Sequence, residues 1–344
     1  MALGDRIRGW FGLAPRVSTS ASAVRRGPID HILIMDGTLS SLEDGQETNA
    51  GITYKLLCEQ VPSTRLSIRY EAGVQWKRWR DIFDVVEGRG IDQQIRRAYG
   101  YLASRYHPGD RVFLMGYSRG AYAARSLAGI IDRVGLLKAE HANVRNIRQI
   151  YRHYQFGPES HAAKVFAQDM CHTNAEVEML GVWDTVKALG MRAPLFWRFS
   201  KVAHEFHDHG LGPAIRHGYQ ALAMDETREA FAPVLWETPA GWNGTMVQMW
   251  FRGCHSDIGG QLSGREKSRP LANIPLVWML EQAERCGIAL PQGWRDRFVQ
   301  DASAPSVGTL RGWGMLFFAR KRRVIGRDAS EQVHASAQQT ISSA

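Results

Sequence analysis

Residues 110–125 read DRVFLMGYSRGAYAAR, in which a short apolar run ends in the pentapeptide G-x-S-x-G and passes directly into a helical pattern. The two glycines allow a sharp turn from strand to helix, so Ser118 is expected to project into solvent at the strand's carboxyl end, beside the next residue's N–H. This nucleophile elbow predicts Ser118 as a catalytic nucleophile. The alternative is a tight turn whose serine only caps the helix.

Outside this stretch, apolar runs typical of buried strands alternate with helical patterns. The predicted strands are 31–35, 65–70, 177–183 and 245–251, and the predicted helices are 52–60, 91–106, 144–154 and 274–286. This alternation predicts an α/β fold with a mostly parallel central sheet and helices on both faces, and the nucleophile elbow within it is typical of the α/β-hydrolase type. Residues 219–231 fit both a helical and an extended period, so their structure stays open.

The chain of 344 residues, 44% of them hydrophobic, is long enough for one large α/β domain. No repeat or long linker divides residues 30–344, which we predict to be one catalytic domain. Residues 1–29 are predicted to be an N-terminal arm or linker, whose basic amphipathic start suits either a docking arm or a membrane face. Residues 191–212 form an unusually apolar excursion between core elements and are a candidate lid, although they could equally be core.

The charge balance favours an anionic partner without identifying it. The 43 Lys and Arg residues against 34 Asp and Glu residues give a net charge of +9. Such a charge suits a membrane surface, a nucleic acid or an acidic protein. No nucleic-acid-binding motif accompanies the basic residues, so no nucleic acid is expected, and a solvated basic surface is favoured.

Cysteine spacing and hydropathy predict the redox state and the compartment of the chain. The four cysteines, at 58, 171, 254 and 286, lie far apart, which argues against a disulfide framework or a zinc site. No run of about 18 apolar residues is present, and charges at 5, 6 and 8 interrupt any signal-peptide core. We therefore expect a chain made as a soluble cytoplasmic protein, without a signal peptide or transmembrane helix.

A serine needs a base to remove its proton, and His255 is the best candidate for that base. It follows the strand 245–251 in a glycine-rich segment, predicted to be a loop. In α/β hydrolases the triad runs in the order Ser, acid, His, and two acids fit between Ser118 and His255. We favour Asp184, which directly follows an unambiguous strand, while Asp225 remains the alternative because it lies nearer His255 in the chain.

The oxyanion formed during acyl transfer needs two fixed donors. One is the N–H of Arg119, by the geometry of the elbow, and the second is expected from the loop after the first strand, at Gly37 or Thr38. Asp36 is predicted to hold that loop by accepting backbone hydrogen bonds. Asp257 is predicted to brace the loop of the histidine. No metal or cofactor is needed for this chemistry.

Several stretches together resemble the catalytic domain of the type VI secretion phospholipase effectors, a family of bacterial α/β-hydrolase lipases. The matching stretches, in the order of the family, are DGT at 36–38, TN at 48–49, the segment 70–74, GYSRGA at 116–121, GVWDTV at 181–186, ALAMDE at 221–226, HSDIGG at 255–260 and VHAS at 333–336. The resemblance implies a Ser-Asp-His ester hydrolase acting on phospholipid or a related ester, with Ser118 and His255 as matched positions. It also implies export by type VI secretion and a secretion-system or immunity-protein partner.

The sequence therefore favours a serine hydrolase that cleaves carboxylic esters of phospholipids or related lipids through an acyl-enzyme. The apolar residues between 195 and 206, with arginines beside them, favour a lipid-like substrate and an anionic membrane surface as docking site. Two alternatives stay open. One is a cytoplasmic carboxylesterase or thioesterase with a soluble substrate, and the other is a non-catalytic binding protein that kept the hydrolase fold.

Overall fold

The computed structural model describes residues 27–62, 65–73, 89–186, 210–310 and 319–341. Within these residues the strands form one sheet of seven, in the order β2-β1-β3-β4-β5-β6-β7, with every neighbouring pair parallel. The sheet confirms the predicted α/β-hydrolase-like fold, with all of the described strand pairs parallel rather than most of them.

The strands are β1 (Asp30–Met35), β2 (Leu66–Glu71), β3 (Arg111–Tyr117), β4 (Val177–Trp183), β5 (Ile215–Ala223), β6 (Thr245–Phe251) and β7 (Glu331–Val333). The helices are α1 (Asn49–Cys58), α2 (Arg89–Ala103), α3 (Arg119–Arg133), α4 (Val144–Phe156), α5 (His161–Met170), α6 (His255–Gly259), α7 (Arg269–Arg285) and α8 (Ala335–Ile341).

The central strands are continuous apolar runs because both of their faces are covered. Alternate side chains of β1, such as Ile32 and Leu33, enter two different clusters of buried residues. The cluster on one face is completed by α2, α3, α4 and α5, and the cluster on the other face by α1 and α7. Burial on both faces removes the polar alternation that a half-exposed strand would need.

The register brings the carboxyl ends of the central strands to one edge. Met35 of β1 pairs with Gly116 of β3, and Tyr117 of β3 pairs with Trp183 of β4. The residues that follow these strands therefore emerge side by side, at the place where open parallel sheets bind their ligands.

The turn from β3 into α3 depends on the absence of side chains at two positions. A Cβ at Gly120 would lie 2.1 Å from the carbonyl oxygen of Met35, and a Cβ at Gly116 would lie 2.6 Å from the carbonyl oxygen of Gly120. Backbone atoms cannot move away as a flexible side chain can. The glycines of the pentapeptide therefore let α3 start directly against β1.

The structure answers some sequence expectations and adds elements that were not foreseen. The open segment 219–231 is extended as far as Ala223 and then forms a short 3-10 turn at Glu229–Phe231. Helix α5 and strand β7 were not predicted. Residues 1–26 of the predicted arm and residues 191–209 of the candidate lid lie outside the described residues. Among the described helices, none combines the length and apolarity required to cross a bilayer.

Candidate active site

Ser118 is the first residue after β3, and its backbone adopts φ 57° and ψ −118°. Positive φ is uncommon for a residue with a side chain and is typical of nucleophile elbows. Contrary to the expectation that it projects into solvent, Ser118 is only 8% exposed. Two neighbours cover the serine. One is the ring of His255, and the other is the backbone of Gly37, where an added Cβ would lie 3.3 Å from the Ser118 Cβ.

His255 contacts the serine directly, with its Nε2 2.9 Å from the Ser118 Oγ. The ring centroids of Tyr117 and Phe231 each lie 4.9 Å from that of the imidazole. The sequence predicts a loop at this histidine, but in the structure the histidine is the first residue of α6. The chain turns into this helix because the Asp257 carboxylate accepts a hydrogen bond from the Cys254 N–H at 2.8 Å.

Asp184 is the acid that the fold places against the histidine. It follows β4 directly, and its Oδ2 lies 2.6 Å from the His255 Nδ1. Its backbone φ is 41°, so this residue also occupies the left-handed region. Burial acts to raise the pKa of Asp184, but the charge of Arg323, together with hydrogen bonds from His255 and Arg323, holds that pKa well below its usual range. Asp184 is therefore ionised at neutral pH.

Asp225, the alternative acid, is occupied elsewhere. Its Oδ2 accepts a hydrogen bond from the Gly253 N–H at 2.7 Å, and its own N–H donates to the Gly253 carbonyl at 3.0 Å. These two bonds fix the turn two residues before His255. Asp225 thus supports the histidine segment through the backbone, whereas Asp184 contacts the imidazole.

The loop after β1 lies beside the serine and is held by Asp36. The Asp36 carboxylate accepts hydrogen bonds from the Gly37 N–H at 2.6 Å, the Thr48 hydroxyl at 2.6 Å and the Tyr70 hydroxyl at 2.7 Å. The Gly37 N–H is therefore engaged. Thr38 is fixed through its carbonyl, which accepts from the Gln261 side chain at 3.0 Å, and its buried Oγ1 has no partner among the described residues.

Asp36 should make stability depend on pH. Burial raises its pKa from 3.8 to about 6, against the lowering effect of its hydrogen bonds. As pH rises, Asp36 therefore loses its proton in the unfolded chain before it does so in the folded protein. Between about pH 4 and pH 6 this difference lowers the free energy of unfolding by roughly 3 kcal/mol. Asp36→Asn cannot ionise, so urea unfolding at both pH values should show the variant gaining stability relative to wild type as pH rises. An identical pH dependence in the two proteins would contradict this.

Asp257 braces the histidine segment to a distant part of the chain. Besides the Cys254 N–H, it accepts hydrogen bonds from the Val307 N–H at 2.9 Å and from the Ser306 hydroxyl. The sequence predicted bonding within its own turn, and the structure adds the link to residues 306–307. This clamp fixes the position from which His255 enters the site.

Three charged residues near His255 and Asp184 were not identified from the sequence. Glu226 accepts from the His255 N–H at 3.2 Å and forms a buried ion pair with Arg228. Arg323 binds the Asp184 carboxylate through both terminal nitrogens. Arg323 belongs to the run Lys321-Arg322-Arg323, which is typical of a solvated surface, so no local signal distinguishes it.

In the part of the chain that the structure describes, no cluster of three or more His, Cys, Asp or Glu residues could hold a metal ion. What the described residues do assemble is a hydrogen-bonded series of hydroxyl, imidazole and carboxylate. In such a series the imidazole can accept the hydroxyl proton while the carboxylate holds the opposite ring nitrogen.

Comparisons with known proteins found one curated relative and several solved structures that are similar to parts of this chain. The uncharacterized protein YEL023C of Saccharomyces cerevisiae is 28% identical over 186 residues, which are 46% of this chain and 27% of the yeast protein. A crystal structure of an uncharacterized protein from Pseudomonas aeruginosa has a TM-score of 0.42 and 15% identity, covering 81% of this chain and 52% of that chain. The structure of the Tle1 effector bound to the VgrG spike from the type 6 secretion system has a TM-score of 0.32 and 19% identity, covering 68% of this chain and 51% of that chain.

The chain thus spans about half of each solved chain and about a quarter of the yeast protein. The family match is broader, because residues 30–282 match the family described as T6SS, Phospholipase effector Tle1-like, catalytic domain. The matched range includes the elbow, the aspartate that follows β4 and the histidine at the start of α6. This chain belongs to the Tle1-like phospholipase effectors of the type VI secretion system, and residues 30–282 correspond to their catalytic domain.

Proposed function

We propose that this protein is a serine hydrolase that cleaves carboxylic esters of phospholipids through an acyl-enzyme on Ser118. One observation carries the proposal. The Ser118 Oγ lies 2.9 Å from the His255 Nε2, and the His255 Nδ1 lies 2.6 Å from the Asp184 Oδ2. Both distances are within hydrogen-bond reach, which is the requirement for a nucleophile, a base and a group that orients the base.

Asp184 sets the tautomer of the base. An ionised carboxylate only accepts hydrogen bonds, so it selects the imidazole that carries its proton on Nδ1. The lone pair of Nε2 then faces the Ser118 hydroxyl. The rings of Tyr117 and Phe231 lie against the imidazole and hold its plane. The base therefore needs little reorganisation before it accepts the proton.

The reaction proceeds in two halves. The Ser118 Oγ forms a bond to the ester carbonyl carbon while its proton passes to the His255 Nε2, and the carbonyl π electrons move to oxygen. As the tetrahedral intermediate collapses, the bond to the alcohol oxygen breaks and His255 protonates that oxygen. Water then attacks the acyl-enzyme with His255 as base. The carboxylic acid leaves, and the Ser118 hydroxyl is restored.

The oxyanion of each intermediate is assigned to two donors. The N–H of Arg119 follows the nucleophile directly, where elbows provide their first donor. The second donor comes from the loop after β1. Since the Gly37 N–H is engaged by Asp36, we assign this role to Thr38, whose N–H and hydroxyl belong to the same fixed loop.

Phospholipid is the substrate class that family membership supports. The apolar segment predicted to act as a lid or membrane-docking surface lies outside the described residues up to residue 209. The net charge of +9 suits an anionic bilayer, because apolar burial would supply affinity and charge would supply orientation. We also propose, from the family name alone, export through type VI secretion, with a component of that apparatus as partner.

The test uses the purified chain with a fluorophosphonate probe and with vesicles. We expect one labelled site in the wild type and none in Ser118→Ala. We expect fatty acid and lysophospholipid as products, with faster turnover on vesicles containing anionic lipid than on neutral vesicles. Salt at about 0.5 M should reduce that preference, because it shortens the screening length to a few ångströms.

Other outcomes would change the assignment. Release of a phosphorylated head group instead of fatty acid would exclude cleavage of the carboxylic ester. Equal turnover on vesicles and on a soluble ester of the same acyl chain would favour the carboxylesterase alternative. Absence of labelling in a folded wild type would contradict a serine hydrolase and favour a binding protein.

A further inference from the structure

The side chain of Arg323 binds the carboxylate of Asp184, the same carboxylate that contacts the His255 Nδ1. It is 4% exposed, and the aspartate side chain is fully buried. Nη1 donates to Oδ1 at 2.5 Å and Nη2 donates to Oδ2 at 2.9 Å, so the guanidinium binds the carboxylate with both arms. Arg323 lies beyond residues 30–282, the range of the family match.

The same guanidinium is fixed by two backbone carbonyls. Nη1 donates to the Ala223 carbonyl at 2.9 Å, and Nη2 donates to the Phe231 carbonyl at 2.6 Å. The first carbonyl ends β5, and the second belongs to the turn whose phenylalanine ring contacts His255. Arg323 therefore connects two of the groups that hold the imidazole, the carboxylate on Nδ1 and the ring beside it.

The Asp184 carboxylate is saturated by donors. Oδ1 accepts from Arg323 and from the Ala223 N–H at 3.0 Å, while Oδ2 accepts from Arg323 and from the His255 Nδ1. A carboxylate with four donors has one orientation only. A planar guanidinium is suited to this task because its fork matches both oxygens at once.

We propose that Arg323 is a positioning residue for the hydrolysis, fixing the Asp184 carboxylate and offsetting part of the attraction that this carboxylate exerts on a positively charged imidazole. The inference rests on the proposed function. The carboxylate attracts a positively charged imidazole, whereas a cation bound to the same carboxylate cancels part of that attraction.

Other charged or titratable groups lie near the histidine and also contribute to the electrostatic potential at its imidazole. They are the Tyr117 phenol from β3, the Glu226–Arg228 ion pair after β5, and Asp257 within α6. The Glu226 and Arg228 charges are paired with each other, and Asp257 is bonded to the Cys254 N–H and to residues 306–307. Within the described residues, Arg323 is thus the cation bound directly to the carboxylate that contacts the imidazole.

The test compares two substitutions at one position on a soluble ester, measured across pH. Arg323→Gln removes both the charge and the fork, and Arg323→Lys keeps the charge without the fork. Both should lose about tenfold in kcat on the pH plateau, since neither holds the carboxylate with two arms. Only Arg323→Gln should move the acidic limb of kcat/KM, to higher pH by about one unit. Arg322→Gln, an exposed neighbour, is the control for net charge and should behave as wild type.

An acidic limb that stays in place in Arg323→Gln would overturn the electrostatic role. Unchanged plateau kcat in Arg323→Lys would overturn the positioning role. If Arg323→Gln fails to fold, Arg323→Lys still decides, because a shifted limb or an unchanged kcat in that variant contradicts the proposal.

A readout without substrate separates this inference from the proposed function. The proton between the His255 Nδ1 and Asp184 gives a low-field ¹H resonance that titrates with the imidazole. Its midpoint should move to higher pH in Arg323→Gln and not in Arg323→Lys. If the wild type cleaves no ester, the proposed hydrolysis fails, while the resonance still tests the role of Arg323. A midpoint that is the same in all three proteins would overturn that role even in an active enzyme.

Discussion

Ser118→Ala is expected to lower kcat by about 10⁶-fold, because it removes the only atom that forms the acyl bond while leaving the base and the oxyanion donors in place. The Ser118 Oγ is hydrogen-bonded to His255 and is a single small atom. Its removal should therefore change the free energy of unfolding by no more than about 1 kcal/mol. Initial rates on a soluble ester and thermal unfolding measure the two effects.

A matched control is available in the helix that follows the elbow. Ser126 is also buried, at 2% exposure, but belongs to the packed body of α3 and has no role in the proposed chemistry. Ser126→Ala should therefore keep its turnover. If a folded Ser118→Ala retained more than about 1% of wild-type turnover, Ser118 would not be the nucleophile.

Asp184→Asn and Asp225→Asn are expected to differ by about three orders of magnitude in activity. Asparagine at 184 presents an amide that no longer selects the productive tautomer of His255, so kcat should fall about 10⁴-fold. At 225 the side-chain carbonyl of asparagine can still accept from the Gly253 N–H, so the loss should stay within about tenfold. Steady-state kinetics of both folded variants on one ester provide the comparison.

Stability has to be measured beside these rates. Asp184→Asn leaves the guanidinium of Arg323 buried without its counter-charge, an arrangement that commonly costs about 3–5 kcal/mol. Activity should therefore be expressed per folded molecule, at a temperature well below the unfolding midpoint. A nearly active Asp184→Asn together with an inactive Asp225→Asn would reverse the assignment of the acid.

The strands and the sharp turn at Ser118 could be predicted because their signals are local. The apolar run 31–35 and the pentapeptide around Ser118 each carry their meaning within a few residues. The choice between Asp184 and Asp225 depended on where a side chain points after its strand ends, and one or two residues of offset change that direction. The sequence favoured Asp184 from the clearer strand but could not exclude its competitor.

One part of the site depends on a long-range contact that leaves no local pattern. Arg323 reaches Asp184 across 139 residues, from a basic run that resembles exposed surface. The hydrogen bond from the Gly37 N–H to Asp36 agrees with the predicted role of Asp36 in its loop, but the sequence did not distinguish Gly37 from Thr38 as the second oxyanion donor. Helix α6 is five residues long, and the hydrogen bond that starts it, from Cys254 to Asp257, is not distinctive in a segment rich in glycine.

The backbone at Ser118 and Asp184, with φ of 57° and 41°, bears on how such a protein evolves. A residue with a Cβ held in this region costs on the order of 1 kcal/mol or more, and glycine would relieve that cost at either position. At position 184, loss of the carboxylate would leave Arg323 buried without its counter-charge, which outweighs that relief. At position 118 no charged group is removed, so a lineage that no longer needed the reaction would gain stability by replacing the serine with glycine. A serine at this place is what selection for chemistry over stability would leave, which weighs against a descendant that retained only the fold.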